Sequence, residues 1–388
     1  MTDLKDRRIL IGVTASMSLG FVRELATTLA LEGWEVFVAC TPSPALDQLG
    51  NYPGVTAVPI QMARAPSPLA DLRALGAWIR AVRRVRPTVT YLGTPKAGLL
   101  GALAGRLLRV PTRIYVVYGL RVETARGPLR AILSLSELMA TRSSTTILAV
   151  SESVGRELVR RRLSAADKVT VLGPGSAIGV DMDRFDRTRF SAREINERSI
   201  QLGIAPGLPV VGFVGRLTRD KGVFELAEAS RILAEQGVAH QLLLIGGVDD
   251  ASGALGLAEI NRLGSAPVFV GEVPDASPYY PLMDVLCLPT YREGFPTVVL
   301  EAAAAGVPTV TTAVTGAIDS VKDGVTGVIV PPRDAKGLAL GLMRVLGSSA
   351  ARDQMGANAY RWVNDELRTQ VVQARIRAYI YLQADRAT

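Results

Sequence analysis

Short apolar runs alternate with amphipathic helical patterns along this chain, and after one full series the alternation breaks and begins again. Residues 9–13 read as a buried parallel strand. Phe21, Leu25 and Leu29, with Val22, Ala26 and Ala30, then recur at helical spacing until Gly33 ends the run. Strand-like runs at 36–39, 89–92, 113–117 and 146–150 continue the series. The second series has strands at 210–214, 242–245, 268–270, 285–288 and 309–311, with a helix at 224–236 stopped by Gly237. Alternation of this kind predicts a parallel sheet wrapped by helices. Two series predict two α/β domains, which suits 388 residues, too many for one ordinary core. Residues 185–209 are polar, charged and punctuated by proline, which predicts an interdomain linker. The domains are therefore expected at 1–195 and 196–360, with a charged helical tail at 361–388. Ligands of doubly wound folds bind outside the carboxyl ends of the strands, so a cleft faced by both domains is expected to hold the substrate.

Charge divides the chain as the pattern does. Residues 1–195 hold 27 Lys and Arg against 16 Asp and Glu, a net +11, while the remainder holds 17 against 20, a net −3. A basic half predicts an acidic partner such as an anionic membrane or a lipid diphosphate. No nucleic-acid motif accompanies it, so nucleic acid is not the expected partner. The basic helix end at Arg80, Arg83, Arg84 and Arg86 is either a lipid contact or a solvated face. No apolar run reaches the roughly 18 residues of a membrane span, and the apolar start is read as a strand and not as a signal peptide. Cys40 and Cys287 lie far apart in apolar runs, which fits a reducing cytoplasm. One histidine and two cysteines cannot build a His/Cys zinc site, and no metal is expected. His240, the one histidine, is expected on the surface. Gly98, Gly101 and Gly105 are spaced for helix packing and not as a nicotinamide-binding glycine loop.

The segment after the strand at 285–288 carries the most chemistry. Glu293, Gly294, Phe295, Pro296 and Thr297 lead into an apolar helix that holds Glu301 and ends at Gly306, with Pro308 beyond. Gly294 is expected to make a tight turn, and Pro296 suits a helix start. Such a start offers free N–H groups and a positive dipole end, a site for a diphosphate. Carboxylates beside a phosphate site are poor phosphate ligands but good acceptors for sugar hydroxyls. Gly215, Arg216 and Lys221 follow the strand at 210–214 and are expected to add phosphate-binding cations. Gly20, in the loop after the first strand, is expected to allow close approach of a ligand. Asp181 and Asp183 fit an Asp-x-Asp metal pattern but are expected to be structural.

These motifs resemble glycosyltransferase family 4, retaining enzymes of the GT-B fold. The resemblance runs from about Ile9 to about Arg344. It implies two Rossmann-like domains facing a cleft, an acceptor-binding N-terminal domain, a nucleotide-sugar-binding C-terminal domain, and a C-terminal helix returning to the first. Glu293 and Glu301 match the family's paired glutamates, which implies contacts to donor sugar and ribose. Arg216 and Lys221 match its diphosphate-binding pair; Glu293, Arg216 and Lys221 are thus the expected catalytic residues. Gly271-Glu272-Val273 matches the turn that meets the nucleotide base. Thr94-Pro95-Lys96-Ala97-Gly98, Tyr118-Gly119-Leu120-Arg121 and Ser151-Glu152-Ser153 resemble the branch that builds bacterial capsule and exopolysaccharide, much of it on polyprenyl-diphosphate-linked acceptors.

That branch usually carries His where this chain has Tyr118. A phenol is a poor general base at neutral pH, so Tyr118 is expected to contact sugar or acceptor without acting as the base. The reading is a metal-independent, cofactor-free transfer of a hexose or N-acetylhexosamine from a UDP-sugar to a hydroxyl, cytoplasmic or peripheral on the inner membrane face. A nucleotide-sugar epimerase or hydrolase, or a catalytically silent subunit, are the competing readings.

Overall fold

The computed structural model describes residues 7–63, 67–248 and 267–386. Contacts divide the chain into two units, Met1–Ile178 with Val372–Thr388, and Gly179–Val371.

The first unit is a seven-stranded parallel sheet: β1 (Arg8–Gly12), β2 (Glu35–Cys40), β3 (Val55–Pro59), β4 (Val89–Gly93), β5 (Thr112–Val117), β6 (Thr146–Ala149) and β7 (Val169–Thr170). Its strand order is β3-β2-β1-β4-β5-β6-β7. Helices α1 (Arg23–Leu31), α2 (Pro44–Gly50), α3 (Pro68–Val85), α4 (Pro95–Leu107), α5 (Gly127–Ser143) and α6 (Glu152–Arg160) make the crossovers. Gly98, Gly101 and Gly105 are packing glycines, as their spacing predicts. A Cβ at Gly98 would lie 2.1 Å from the Tyr115 ring, and one at Gly101 would lie 2.8 Å from Leu92. These gaps let α4 close on the sheet, and Trp78 of α3 fills the space beside Gly12 and Gly101 with no exposure. Truncating such a side chain to Ala costs about 3–5 kcal/mol.

The second unit is a six-stranded parallel sheet of β8 (Val210–Val214), β9 (Gln241–Ile245), β10 (Val268–Gly271), β11 (Val285–Leu288), β12 (Thr309–Thr312) and β13 (Gly327–Val330). Its order is β10-β9-β8-β11-β12-β13. Helices α7 (Met182–Phe185), α8 (Ala192–Gln201), α9 (Val223–Glu235), α10 (Thr297–Ala304), α11 (Ala335–Leu346), α12 (Ser349–Glu366) and α13 (Thr369–Asp385) complete the described helices, and α13 lies with the first unit from Val372 onward.

Four details depart from the sequence reading. Residues 185–209 are not an extended linker. Ser191 and Glu194 form a reciprocal capping box that starts α8. Phe185 packs edge-on against Tyr280 at 5.7 Å, and Arg184 pairs with Asp275 at 2.9 Å, so the stretch belongs to the second unit. The tail is two helices, because Leu367 and Thr369 use their backbone groups to hydrogen-bond Val180. His240 is buried, with Nε2 2.7 Å from the Ser230 hydroxyl and Nδ1 2.9 Å from the Val238 carbonyl. Strands β3, β7 and β13 add to the expected set.

Both cysteines are buried free thiols, and burial pushes the Cys40 thiol up to about 11. Asp181 caps α7 by accepting from the Arg184 N–H at 3.2 Å, a structural role.

One buried carboxyl gives the first unit a pH dependence. Glu137 of α5 is 8% exposed and accepts from the Tyr115 hydroxyl at 2.9 Å. Burial pushes its pKa from 4.5 to about 7, against the pull of that hydrogen bond. The folded state therefore holds the proton that the unfolded chain releases. The stabilising effect is complete below pH 4.5 and is lost as pH rises to about 7. Glu137→Gln keeps an acceptor for Tyr115 without titrating. Unfolding curves at pH 5 and pH 8 should show wild type losing stability relative to the variant, on the order of 3 kcal/mol. Parallel pH responses in the two proteins would contradict this origin.

Candidate active site

In the second sheet the strand order reverses between β8 and β11, and at such a point two loops leave the carboxyl edge in opposite directions. Both site segments found in the sequence follow these two strands. After β8 come Gly215, Arg216 and a short turn over Arg219–Lys221. After β11 come Tyr291 to Pro296 and then α10. The loops are joined by backbone. Tyr291 N–H donates to the Asp220 carbonyl at 2.8 Å. Gly222 has φ +73 and lies so close to Pro289 that a Cβ would be 1.9 Å from its carbonyl oxygen. Only glycine allows that approach.

This junction brings Lys221 and Glu293 together. Lys221 Nζ donates to Glu293 Oε1 at 2.5 Å, with both side chains only partly exposed. Arg292 lies 3.8 Å from Asp220, and Arg216 is exposed on the same loop as Lys221. Burial works against the Asp220 carboxylate, but the Thr218 hydroxyl and the cations Lys221, Arg292 and Arg216 hold it below the usual range. The site thus keeps more than one cation beside a carboxylate that stays ionised.

Helix α10 starts at Thr297 behind Pro296, and no side chain caps it. Its first-turn N–H groups are the ones an anion would satisfy. Gly294 does not adopt a left-handed conformation. That conformation belongs to Gly316, φ +80, where a Cβ would meet the Gly294 carbonyl at 2.3 Å. Glu293 N–H donates to the Thr315 carbonyl at 3.1 Å, so the loop after β12 holds the Glu293 segment in place. Gly294, Phe295 and Pro296 are buried under it, and Thr297 is half-buried.

Glu301 sits one turn into α10, where its Oε2 accepts from the Tyr280 hydroxyl at 2.5 Å. Burial raises its carboxyl pKa, and the Tyr280 bond opposes that shift. Tyr280, absent from the sequence reading, thus fixes the rotamer of Glu301. Gly215, φ +148, ends β8, and a Cβ at the neighbouring Gly246 would lie 1.9 Å from its carbonyl. The pair of glycines at 246 and 247 was the available signal for this crossing. Gly271, φ +84, ends β10 and leads into Glu272 and the half-exposed Val273.

Tyr118 and Gly20 belong to the first unit. Phe21, next to Gly20, stacks on the Tyr118 ring at 4.9 Å. Gly20 is exposed and a Cβ there would meet nothing within 4 Å, so the fold itself does not require glycine. The Tyr118 ring packs on Gly93, where a Cβ would lie 2.4 Å from it. Its hydroxyl is buried against the Tyr91 phenol. Burial, and the Tyr91 phenol beside it, push the Tyr118 pKa well above the ordinary value. At the reversal of this sheet, between β1 and β4, Thr14 and Thr94 hydroxyls meet at 2.7 Å, and Thr94 holds φ +64. A β-branched residue there is strained, and sequence pattern gives no sign of it.

The chain matches two families: residues 21–175 the "Glycosyl transferase 4-like domain" and residues 194–362 "Glycosyl transferases group 1". It is 33% identical over 374 residues to the capsular polysaccharide biosynthesis glycosyltransferase CapM of Staphylococcus aureus, covering 95% of each chain. It is 24% identical over 323 residues to the UDP-Gal:alpha-D-GlcNAc-diphosphoundecaprenol alpha-1,3-galactosyltransferase of Escherichia coli, covering 81% of this chain and 80% of that one. The fold is shared with HepE of Anabaena, solved in complex with UDP and glucose, with TM-score 0.77 and 19% identity over 97% of this chain and 99% of that one. With two Rossmann-like sheets, both family matches and a full-length relative, the chain belongs to glycosyltransferase family 4 and is a glycosyltransferase of the GT-B type.

Proposed function

We propose that this enzyme moves a hexose or N-acetylhexosamine from a UDP-sugar to a hydroxyl of a polyprenyl-diphosphate-linked glycan during assembly of a capsular or related surface polysaccharide. The observation that carries the reading is the contact between Lys221 and Glu293 at the strand reversal, beside the uncapped start of α10. A diphosphate arriving there takes Lys221, Arg216 and the α10 N–H groups as its partners. Lys221 then leaves Glu293, whose carboxylate is freed to accept a hydroxyl of the donor sugar. Glu301, held by Tyr280, takes the ribose hydroxyls. The UDP and glucose bound to the Anabaena HepE structure and the UDP-Gal named for the Escherichia coli relative support the nucleotide. The diphosphoundecaprenol in that relative's name and the capsular role named for CapM support the acceptor and the pathway class.

Transfer proceeds with retention and without a metal ion or other cofactor. The bond from the anomeric carbon to the phosphate oxygen breaks, the bond to the acceptor oxygen forms on the same face, and the departing phosphate oxygen takes the acceptor proton. The residues favour this route. His240 is locked against Ser230, and the Tyr118 phenol is too weakly acidic to supply a base near neutral pH. The enzyme works in the cytoplasm at the inner membrane face. Among the described residues no helix is long and apolar enough to cross a membrane, so contact with the bilayer would be peripheral.

A nucleotide-sugar panel assayed in excess chelator should show turnover with a UDP-sugar, and the product NMR spectrum should keep the donor's anomeric configuration. Turnover restored only by magnesium or manganese, or an inverted anomeric signal, would overturn the mechanism. Charge-assisted phosphate bonds contribute roughly 1.5–3 kcal/mol each. Arg216→Ala and Lys221→Ala should therefore each weaken UDP binding by about 10- to 150-fold in calorimetric titration; wild-type affinity in either would refute the assignment. Tyr118→Phe removes at most one neutral hydrogen bond, so it should lower stability by no more than about 1.5 kcal/mol and reduce turnover by no more than about 13-fold. A thousandfold loss with the fold intact would make Tyr118 part of the chemistry.

A further inference from the structure

The first unit holds a lysine in the way the second holds Lys221. Lys96 Nζ donates to Asp71 Oδ1 at 2.7 Å, and the two side chains are 13% and 26% exposed. Lys221 and Glu293 are 21% and 14% exposed. Lys96 stands in the first turn of α4, the helix that leaves β4 at the reversal of the first sheet. Helix α10 leaves β11 at the reversal of the second. The two helices thus occupy the same topological place, where ligands of such sheets gather.

Folding alone gives little reason for a lysine here. The start of a helix is the positive end of its dipole, so a cation in the first turn is unfavourable. A partly buried ion pair returns little stability, because both charges lose hydration. Asp71 does not need Lys96 either. It lies in the first turn of α3, where its charge suits the dipole, and its Oδ2 accepts from the Ser67 N–H at 3.1 Å. The N–H groups of α4 are not the receptor for an anion. Ala97 N–H donates to the Thr14 hydroxyl at 3.2 Å, and Gly98 N–H donates to the Thr94 carbonyl at 2.8 Å. Thr14 N–H donates to the Thr94 hydroxyl at 2.9 Å, so the loop after β1 fixes the residues that precede Lys96. Gly93, at the end of β4, packs under the Tyr118 ring, which puts Lys96 on the edge where sugar is expected. This edge therefore presents an ammonium group on a rigid frame, kept satisfied by a carboxylate until an anion arrives.

The transfer proposed above involves two diphosphates, one in the donor and one in the acceptor. Lys221 and Arg216 meet the first. A diphosphate offers an ammonium group more charge than a single carboxylate does, so it displaces Asp71 as it displaces Glu293. We propose that Lys96 binds the diphosphate of the acceptor, and so selects a diphosphate-linked glycan over a neutral one. This rests on the reading of a diphosphate-linked acceptor and names the residue that would recognise it.

The test is calorimetric binding to the full chain with UDP saturating, so that the donor site is filled. One probe is N-acetylglucosamine joined to an undecyl chain through a diphosphate; the other is the same sugar joined to that chain directly. Wild type should bind the diphosphate probe about 10- to 150-fold more tightly, the effect of one charge-assisted phosphate contact. Lys96→Gln should erase that preference, with affinity for the direct glycoside and for UDP unchanged. Asp71→Asn breaks the same ion pair but keeps the ammonium group, so it should retain the preference or enlarge it. A pair that served only the fold would make the two variants alike, since both lose it; circular dichroism melting reports the fold in each. A Lys96→Gln chain that keeps the preference, or an equal loss in both variants, would overturn the proposal and leave the acceptor reading standing. A wild-type chain with no preference would remove the diphosphate-linked acceptor, and the role of Lys96 with it. Inorganic diphosphate that binds as tightly as the probe, and needs Lys96 to do so, would give the site to free diphosphate and overturn the proposal.

Discussion

Parallel pairing of β8 with β9 on one side and β11 on the other decides where the chemistry of the second domain can stand. The two strands share a ladder, yet their connections leave toward opposite sides of the sheet. Nothing in the sheet fills the crevice that this divergence opens. The loop after β8 brings cations to it, and the loop after β11 brings a carboxylate and a helix start. Glycines without Cβ atoms at 222, 246 and 316 let the backbones of these loops close on one another and on the strand ends. The position of Glu293 is therefore set by sheet topology and loop contacts rather than by its own helix.

The same crevice explains the electrostatics. A partly buried ion pair gains Coulomb energy but loses hydration, so Lys221 against Glu293 is a weak source of stability. Its value lies in exchange. With no anion bound, each side chain satisfies the other; a diphosphate offers Lys221 a better partner and frees a carboxylate already in place. Asp220 stays charged among Lys221, Arg292 and Arg216, which keeps the local field balanced before a donor arrives. Glu301 is different. It is pinned by the Tyr280 hydroxyl, and burial raises its pKa, so it is placed to exchange hydrogen bonds with neutral hydroxyls rather than to meet phosphate.

What could be read from the sequence was local. The strand, loop, helix and cap around Glu293 and Glu301 lie within a few turns, and each has residue types that serve only a few geometries. The packing glycines of α4 were legible because their spacing is helical. What could not be read came from distant partners. Lys221 and Glu293 are 72 residues apart, and spacing alone does not say that they touch. The break at Leu367 exists because Val180 pairs there. His240 is buried because Ser230 on α9 offers it a hydroxyl, and the left-handed glycine packed against Gly294 is Gly316, which the loop after β12 brings there. Strand β13 begins with a glycine pressed against the Thr309 carbonyl, which hides it from a pattern of apolar residues.

A crystal structure of the chain with UDP bound tests the donor site most directly. Diphosphate oxygens should lie within about 3 Å of Lys221 Nζ and of the first-turn N–H groups of α10, with the ribose hydroxyls on Glu301 and the contact between Lys221 and Glu293 open. UDP seated elsewhere, with Lys221 and Glu293 still paired, would contradict the site.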